Sequence, residues 1–137
     1  DIASMIRGED AIRAKIDEID AKGNQASNKE IDTRETLCIC LEMVCRGFYF
    51  QNIDVDKSDG KHFIITEDGK GLIIPFRALD GLGENVADAI VNARKSGPFI
   101  SMEDLRERGK VNTSAMEKLK DLGCLDNMSE SNQLSLF

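Results

Sequence analysis

The sequence predicts an α+β fold, in which an N-terminal helix pair and a small antiparallel β-meander precede a helical unit and a flexible C-terminal tail. Three observations lead to this prediction. Apolar residues recur at helical spacing up to residue 46, short apolar runs separated by turn signals follow as far as residue 74, and glycines then punctuate further helical patterns. These changes of pattern predict three regions, residues 1–74, 75–126 and 127–137.

The first region is predicted to begin with two amphipathic helices. Over residues 8–21, three isoleucines recur at helical spacing among charged neighbours. A longer helix is predicted from Asn28, with Ser27 or Asn28 as its N-cap, to about Arg46. Its predicted buried stripe comprises Leu37, Leu41, Val44 and Cys45.

The rest of the first region has the pattern of short strands. The three apolar runs occupy residues 48–50, 63–65 and 72–74. Gly60 and Gly69 lie between them, where tight turns need a positive backbone φ. Asp54 and Asp56 are spaced as paired metal ligands could be, but alternation along a strand already predicts that both face solvent. We therefore predict no metal site at these carboxylates.

From Pro75 onward the sequence predicts four helical segments joined by short turns. The segments cover residues 75–79, 84–95, 101–108 and 112–122. Ser101 starts one of them and is followed by two acidic residues, which favour the positive end of a helix dipole. Asn112 or Thr113 is the predicted cap of the last helix.

The composition limits the class of partner. The chain has 25 acidic and 18 basic residues and a net charge of −7 at pH 7, so any contact with nucleic acid should be local rather than a wide electrostatic wrap. No apolar run is long enough to cross a bilayer and no signal segment is present, so we expect a cytoplasmic protein without a membrane partner. The first residue is Asp1 rather than methionine, which suggests a piece of a longer polypeptide.

The cysteines and the single histidine do not form a metal-binding pattern. Cys38, Cys40 and Cys45 fall in one predicted helix, Cys124 is far along the chain, and His62 lies in a strand-like run. Closely spaced pairs of ligands, the usual sign of a structural zinc site, are therefore lacking. We predict no metal ligand, and the apolar neighbours of the cysteines favour buried, reduced thiols over disulfides.

The triplet Gly81-Leu82-Gly83 lies between two predicted helical segments. Its glycines permit a tight turn and leave no side chain between the backbone and an approaching phosphate, while the next helix directs free amides and its positive dipole end outward. Leu82 would be an apolar plug, and Asn85 adds a donor. The arrangement resembles a helix-hairpin-helix motif. The DNA-binding residues this implies are Gly81, Leu82, Gly83, Asn85, Arg94 and Lys95, the last two either reaching phosphates or complementing the helix C-terminus.

A purely structural role for this hairpin is the alternative. Glu84 stands where the motif often has a basic or hydroxyl-bearing residue, and it directs negative charge toward the expected phosphate. Glu84 also suits the first turn of a helix without any DNA. A glycine-x-glycine triplet is by itself equally compatible with a tight turn.

The last five residues form an apolar pentapeptide headed by a glutamine. Residues 126–132, which precede it, are polar and rich in turn formers and are predicted to be a short mobile tether. Leucine and phenylalanine side chains can fill pockets on a partner, and the glutamine amide can fix the register. The pentapeptide resembles the sliding-clamp-binding motif of bacterial replication proteins. The clamp-binding residues this implies are Gln133, Leu134, Ser135, Leu136 and Phe137. The alternative is a segment folded back onto the core of its own domain.

The resemblance extends over residues 79–125, which are similar to the tandem helix-hairpin-helix segment of bacterial DNA polymerase III alpha subunits. With the terminal pentapeptide, nearly the whole chain resembles the C-terminal end of the PolC-type enzymes of low-GC Gram-positive bacteria. The resemblance implies part of a DNA-directed DNA polymerase, a nucleotidyltransferase, whose catalytic palm carboxylates lie elsewhere. No catalytic residue and no cofactor are thus expected in this chain, and Mg²⁺ is expected for the parent polymerase.

The resemblance also implies the function and the partners. The helix-hairpin-helix would hold the backbone of template-primer duplex DNA without sequence preference, and the pentapeptide would tether the polymerase to the sliding clamp, its beta subunit. The remainder of the polymerase is the third expected partner. The alternatives are a protein-interaction module and a helix-hairpin-helix segment of a DNA-repair nuclease.

Overall fold

The computed structural model describes residues 1–130, so the predicted clamp-binding motif lies outside the described residues. These residues form six α-helices, three short 3₁₀ turns and a three-stranded sheet, which confirms the predicted α+β class. They divide into two compact units, residues 1–51 with 65–72, and residues 52–64 with the chain from Ile73 onward. The three consecutive regions expected from the sequence stay a prediction.

The first unit contains α1 (Ile2–Arg7), α2 (Glu9–Ala21) and α3 (Asn28–Cys45). The sequence did not predict α1, which is capped by the Asp1 carboxylate, an acceptor for the Ala3 amide at 3.1 Å. A capping box starts α3, because the Ser27 hydroxyl accepts from the Glu30 amide and the Glu30 carboxylate accepts from the Ser27 amide. The N-cap predicted at Ser27 is therefore observed.

The core of the first unit lies between its helices, with α2 packed against both α1 and α3. The buried apolar residues include Ile2, Met5, Ile12, Ile16, Ile19, Leu37, Cys40 and Phe50. The predicted stripe on α3 is only partly right, because Leu41 and Val44 are half-buried and Cys45 is exposed. The Cys45 thiol donates to the Glu9 carboxylate at 3.4 Å, so a polar contact holds it at the surface. All four cysteines are free thiols, but only Cys40 is buried, so the predicted burial of the thiols is wrong for the other three.

The sheet consists of β1 (Tyr49–Gln51), β2 (Ile64–Ile65) and β3 (Gly71–Ile73), in the order β1-β3-β2. A meander would place β2 in the centre, so the strand order departs from the prediction. The Tyr49 amide donates to the Lys70 carbonyl, which pairs β1 with the neighbourhood of β3. Gly69 has the predicted positive φ of 75°, whereas Gly60 does not lie in that region.

The second unit contains α4 (Glu84–Ala93), α5 (Met102–Gly109) and α6 (Thr113–Asp121), all close to their predicted positions. A 3₁₀ turn at Phe76–Ala78 replaces the short helix expected before the glycine triplet. The fully buried side chains include Phe76, Ile74, Ile90, Leu105, Leu119 and Leu125. Within residues 1–130, no helix is long and apolar enough to cross a membrane.

Candidate nucleic-acid interface

The hairpin consists of residues 81–83, between the Phe76–Ala78 turn and α4. Gly81 has a φ of 87°, a conformation that favours glycine, and a Cβ atom there would lie 1.9 Å from Nζ of Lys118. Leu82 is only 7 % exposed, and its amide donates to the Leu79 carbonyl at 3.2 Å. The structure thus places Leu82 as the expected apolar plug, which leaves the backbone of both glycines at the surface.

Gly83 has a different role from Gly81. Its φ of −67° and ψ of 156° are open to any residue, and a Cβ atom would meet nothing within 4 Å. Gly83 is the N-cap of α4 and supplies no side-chain acceptor, whereas Ser101 caps α5 and Asn112 caps α6. The first amides of a helix have no acceptor within it. In the second unit, α4 therefore presents its N-terminus beside open space.

Two lysines that are distant in sequence lie beside this hairpin. Nζ of Lys118, on α6, donates to the Asp80 carbonyl at 2.7 Å. Nζ of Lys61 lies 3.2 Å from Oε1 of Glu84, so the acidic first residue of α4 has a cationic neighbour. Both members of that pair are exposed, with 56 % and 68 % of their side-chain surface accessible. Such a pair leaves Lys61 able to exchange its partner for a phosphate at low cost.

The loop before β2 positions Lys61. The Asp59 carboxylate accepts from the amides of Lys61 and His62, each at 2.9 Å, and these bonds lower the pKa of Asp59. The carbonyls of Asp59 and Gly60 accept from the amides of Phe76 and Arg77, each at 3.0 Å. The loop is thereby fixed to the turn that precedes the hairpin.

A cleft of about 290 Å³ lies between this loop and α4. It contains two basic and two acidic side chains, so its charges balance. Its lining comprises Gly60, Lys61, Arg77, Leu82, Glu84, Ala87 and Asp88. Of the two acidic members, Glu84 is the first residue of α4 and opposes a phosphate at the hairpin end, and Asp88 opposes one further along the helix.

The structure separates the predicted DNA-binding residues into two groups. Gly81, Leu82, Gly83 and Asn85 lie together at the N-terminus of α4, and Asn85 is exposed. Arg94 and Lys95 follow the other end of this helix, about 15 Å away along its axis. The Arg94 guanidinium donates to the carbonyls of Ser58 at 2.6 Å and Val55 at 3.3 Å, and Lys95 donates to the Asn92 amide oxygen at 3.3 Å. The Arg94 guanidinium therefore holds the loop that contains Val55 and Ser58.

A second hairpin joins α5 to α6. Gly109 ends α5, and a Cβ atom there would lie 3.1 Å from Cγ1 of Ile90, so the glycine allows α4 and α5 to approach closely. Lys110 follows with a φ of 53°, which is uncommon for a residue with a side chain. The Asn112 side chain then accepts from the Ala115 amide at 2.8 Å and starts α6. The connection from α5 to α6 is thus a second tight turn between helices of this unit.

Asp54 and Asp56 have structural roles. The Asp54 carboxylate accepts from the Asp56 amide at 2.8 Å, and the Asp56 carboxylate accepts from the Phe99 amide at 3.3 Å. Among residues 1–130, no three histidine, cysteine or carboxylate side chains come together in a way that could hold a metal ion.

A hairpin with a buried leucine beside an open helix N-terminus, followed by a second tight turn between α5 and α6, defines a class of fold, and comparison with known families agrees. The family model described as the helix-hairpin-helix motif matches residues 47–134. The chain belongs to this helix-hairpin-helix family.

All 137 residues also match part of proteins named DNA polymerase III PolC-type. The identity is 47 % to the protein of Listeria monocytogenes, 49 % to that of Oceanobacillus iheyensis and 50 % to that of Streptococcus mutans. The whole chain is covered in each case, but it spans only 9 %, 10 % and 9 % of these relatives. The resemblance to the PolC-type family that the sequence predicted is therefore confirmed.

Sequence reasoning missed Lys61 and Lys118 as members of the site. Neither residue lies in the glycine triplet or next to it in sequence, and no local pattern marks either of them. Only the fold brings them to the hairpin, so a single sequence offers no signal that could have identified them.

Proposed function

We propose that this chain is the part of a PolC-type replicative polymerase that holds the backbone of template-primer duplex DNA and tethers the enzyme to a sliding clamp. The open N-terminus of α4 at Gly83 is the observation that carries the DNA half of this proposal. The pentapeptide Gln133, Leu134, Ser135, Leu136 and Phe137 carries the clamp half. The remainder of the polymerase is the third partner.

The hairpin suits a phosphate and does not suit base recognition. Backbone amides at a helix N-terminus offer donors and the positive end of the dipole, both of which favour an anion. Contacts of this kind go to the DNA backbone and carry no sequence information. Binding should therefore be independent of sequence, with Gly81, Leu82 and Gly83 shaping the site and Asn85 adding a side-chain donor.

The electrostatics favour a weak and local contact. Lys61 and Lys118 place positive charge at the hairpin, while Glu84 and the net charge of −7 oppose a phosphate. Arg94 acts indirectly, by stabilising the fold, because its guanidinium donates to the backbone carbonyls of Val55 and Ser58. Lys95 can reach a neighbouring phosphate only beyond the far end of α4.

The DNA half is tested by titrating a labelled duplex of mixed sequence with the chain at about 50 to 200 mM salt. We expect weak binding that falls with salt. Lys118→Met should weaken it and reduce the slope of log affinity against log salt by about 1. Glu84→Gln should strengthen it by about two- to fivefold at low salt, because it removes one negative charge near the phosphate.

Lys120→Met is the matched control for Lys118→Met. Lys120 is exposed on the same helix but lies about 200° further around it. Equal losses from the two variants would show that general charge, rather than the hairpin, attracts the DNA. The absence of any duplex binding at low salt would overturn the DNA half and leave an interaction module.

The clamp half of the proposal rests on the side-chain chemistry of residues 133–137 alone. A glutamine followed by three apolar side chains can fix a short peptide in partner pockets. Titration of the chain against a bacterial sliding clamp should give a dissociation constant in the micromolar range, about −8 kcal/mol. Removal of residues 133–137 should abolish binding. A chain with the same five residues in scrambled order is the control, and equal binding by it would overturn the clamp half.

Mg²⁺ is proposed as the cofactor of the parent polymerase and not of this chain. The residues described here do not fit such a site, since no three potential ligands of residues 1–130 converge. We propose that the catalytic carboxylates and their metal ions belong to the much longer remainder of the protein.

A further inference from the structure

The chain after α6 returns to α5 instead of leaving the fold at once. A tight turn ends α6, where the amides of Gly123 and Cys124 donate to the carbonyls of Lys120 and Leu119 at 2.9 and 3.0 Å. Leu125 is then buried, with 1 % of its surface exposed. Four residues later, Ser129 forms an isolated parallel bridge with Ser101, the N-cap of α5.

The returning segment binds the first turn of α5. The Ser129 carbonyl accepts from the Met102 amide at 2.8 Å, and the Glu130 carbonyl accepts from the Glu103 amide at 3.0 Å. The Ser101 hydroxyl, which is fully buried, accepts from the Asp104 amide at 3.0 Å. The first three amides of α5 thus have acceptors, which is the requirement that a buried helix start imposes.

These bonds shorten the predicted tether. The sequence predicted a mobile linker over residues 126–132, but the carbonyls of Ser129 and Glu130 accept hydrogen bonds from α5. Only Ser131 and Asn132 separate Glu130 from Gln133. Because a fully extended chain spans at most about 3.6 Å per residue, a link of this length has a reach of about 11 Å from Glu130.

We propose that residues 128–130 are an anchor that holds the clamp-binding motif beside the first turn of α5. The inference rests on the proposed clamp binding. A bound clamp would then be confined near the helix-hairpin-helix unit instead of moving on a long tether. A short link also raises the effective concentration of the clamp at the duplex-binding surface, because effective concentration falls with linker length.

Hydrogen exchange tests the anchor without any clamp. The amides of Met102 and Glu103 should be protected in the intact chain and in a chain that ends at Asn132. In a chain that ends at Asn127 they should exchange at least about tenfold faster. The Ile90 amide in α4 should stay protected throughout and so report that the unit remains folded. Equal protection of Met102 and Glu103 in both truncated chains would overturn the anchor.

Clamp binding then tests the consequence. On addition of a bacterial sliding clamp, the amide resonances of α5 should broaden as the unit tumbles with the clamp, and Met102 should stay protected. Insertion of a flexible linker of about ten residues between Glu130 and Ser131 should preserve affinity and restore narrower resonances.

The outcomes separate the two proposals. Clamp binding that exposes the Met102 amide, or resonances that the insertion leaves unchanged, would overturn the anchor while the clamp function stands. No clamp binding by the intact chain would overturn both, whatever hydrogen exchange shows for residues 128–130.

Discussion

Two glycines of one hairpin perform separate physical tasks. Gly81 occupies a backbone conformation with a φ of 87° beside Lys118, so it is required by the fold. Gly83 has an ordinary conformation and faces open space, so nothing in the packing of the chain requires a glycine there. Its small size is of use only if something must approach the backbone of α4.

Substituting each glycine by alanine should therefore separate stability from DNA binding. Gly81→Ala should lower the free energy of unfolding by about 1–3 kcal/mol, the cost of a left-handed residue with a side chain. Gly83→Ala should lower the free energy of unfolding by less than about 1 kcal/mol. It should nevertheless weaken duplex binding by about tenfold, because a charge-assisted hydrogen bond to the phosphate is lost. Urea unfolding and duplex titration of both variants make the measurement. A Gly83→Ala chain that binds DNA normally would contradict the role of the α4 amides.

Asp68 organises the turn before β3 in the first unit. The Thr66 hydroxyl, the Lys70 amide and the Tyr49 hydroxyl all donate to its carboxylate, and they lower the pKa of Asp68 to about 2. Because this pKa is below the ordinary value of about 3.9, the carboxylate stabilises the fold above pH 4.

The contribution of Asp68 should be lost as the pH falls from about 4 to about 2. The midpoint of urea unfolding should differ between the wild-type chain and Asp68→Asn by a constant amount above pH 4. That difference should shrink across the acidic window, because the protonated carboxyl loses its advantage over an amide. A difference that does not change down to pH 2 would show that these hydrogen bonds contribute no pH-dependent stability.

At the scale of elements, Arg108 fixes the connection between α4 and α5. Its guanidinium donates to the carbonyls of Ala93 at 2.6 Å, Gly97 at 2.9 Å and Pro98 at 3.2 Å, and to the Asp104 carboxylate at 3.0 Å. The guanidinium also stacks 4.8 Å from the centre of the Phe99 ring. One side chain thus satisfies the carbonyls at the end of one helix and in the loop to the next.

Arg108→Met should lower the free energy of unfolding by about 2–4 kcal/mol, because it leaves half-buried carbonyls without a donor and Asp104 without its charged partner. Arg108→Lys should recover little, since an ammonium group cannot reproduce the planar fork. Arg106→Met is the control on the same helix, at an exposed position, and should change stability by less than about 0.5 kcal/mol. Thermal or urea unfolding distinguishes these expectations, and equal effects at both arginines would refute the role of Arg108.

For the whole molecule, the acidic charge and the two predicted contacts imply a division of labour. A chain of net charge −7 gains little from DNA alone, so residence on a primed duplex should depend on the clamp. Removing residues 133–137 should leave binding to bare duplex unchanged, and Lys118→Met should leave binding to the free clamp unchanged. The two contacts are therefore expected to be independent when tested one at a time.

On a clamp already loaded onto DNA, the two contacts should reinforce each other. The intact chain should bind at least about 100-fold more tightly than either single-contact variant, through effective concentration. Surface-immobilised primed DNA with and without the loaded clamp provides the comparison. An association constant for the intact chain no greater than the sum of the two single-contact association constants would mean that the hairpin and the motif cannot engage one assembly together.

The sequence by itself determined the local features of this protein. The helices α4, α5 and α6, the caps Ser101 and Asn112 and the buried Leu82 were predictable, because spacing and capping depend on a few consecutive residues. The helix α1 escaped prediction because six residues are too few to show a period. The PolC-type resemblance was carried by motifs of the same local kind.

Only the tertiary structure decided which distant residues meet. It set the strand order β1-β3-β2 and placed Lys61 and Lys118 at the hairpin. It also directed the Arg94 guanidinium to the carbonyl of Ser58. It also returned Ser129 and Glu130 to the start of α5. Each of these contacts joins segments that are far apart along the chain, and their energies depend on packing that no short stretch of sequence contains.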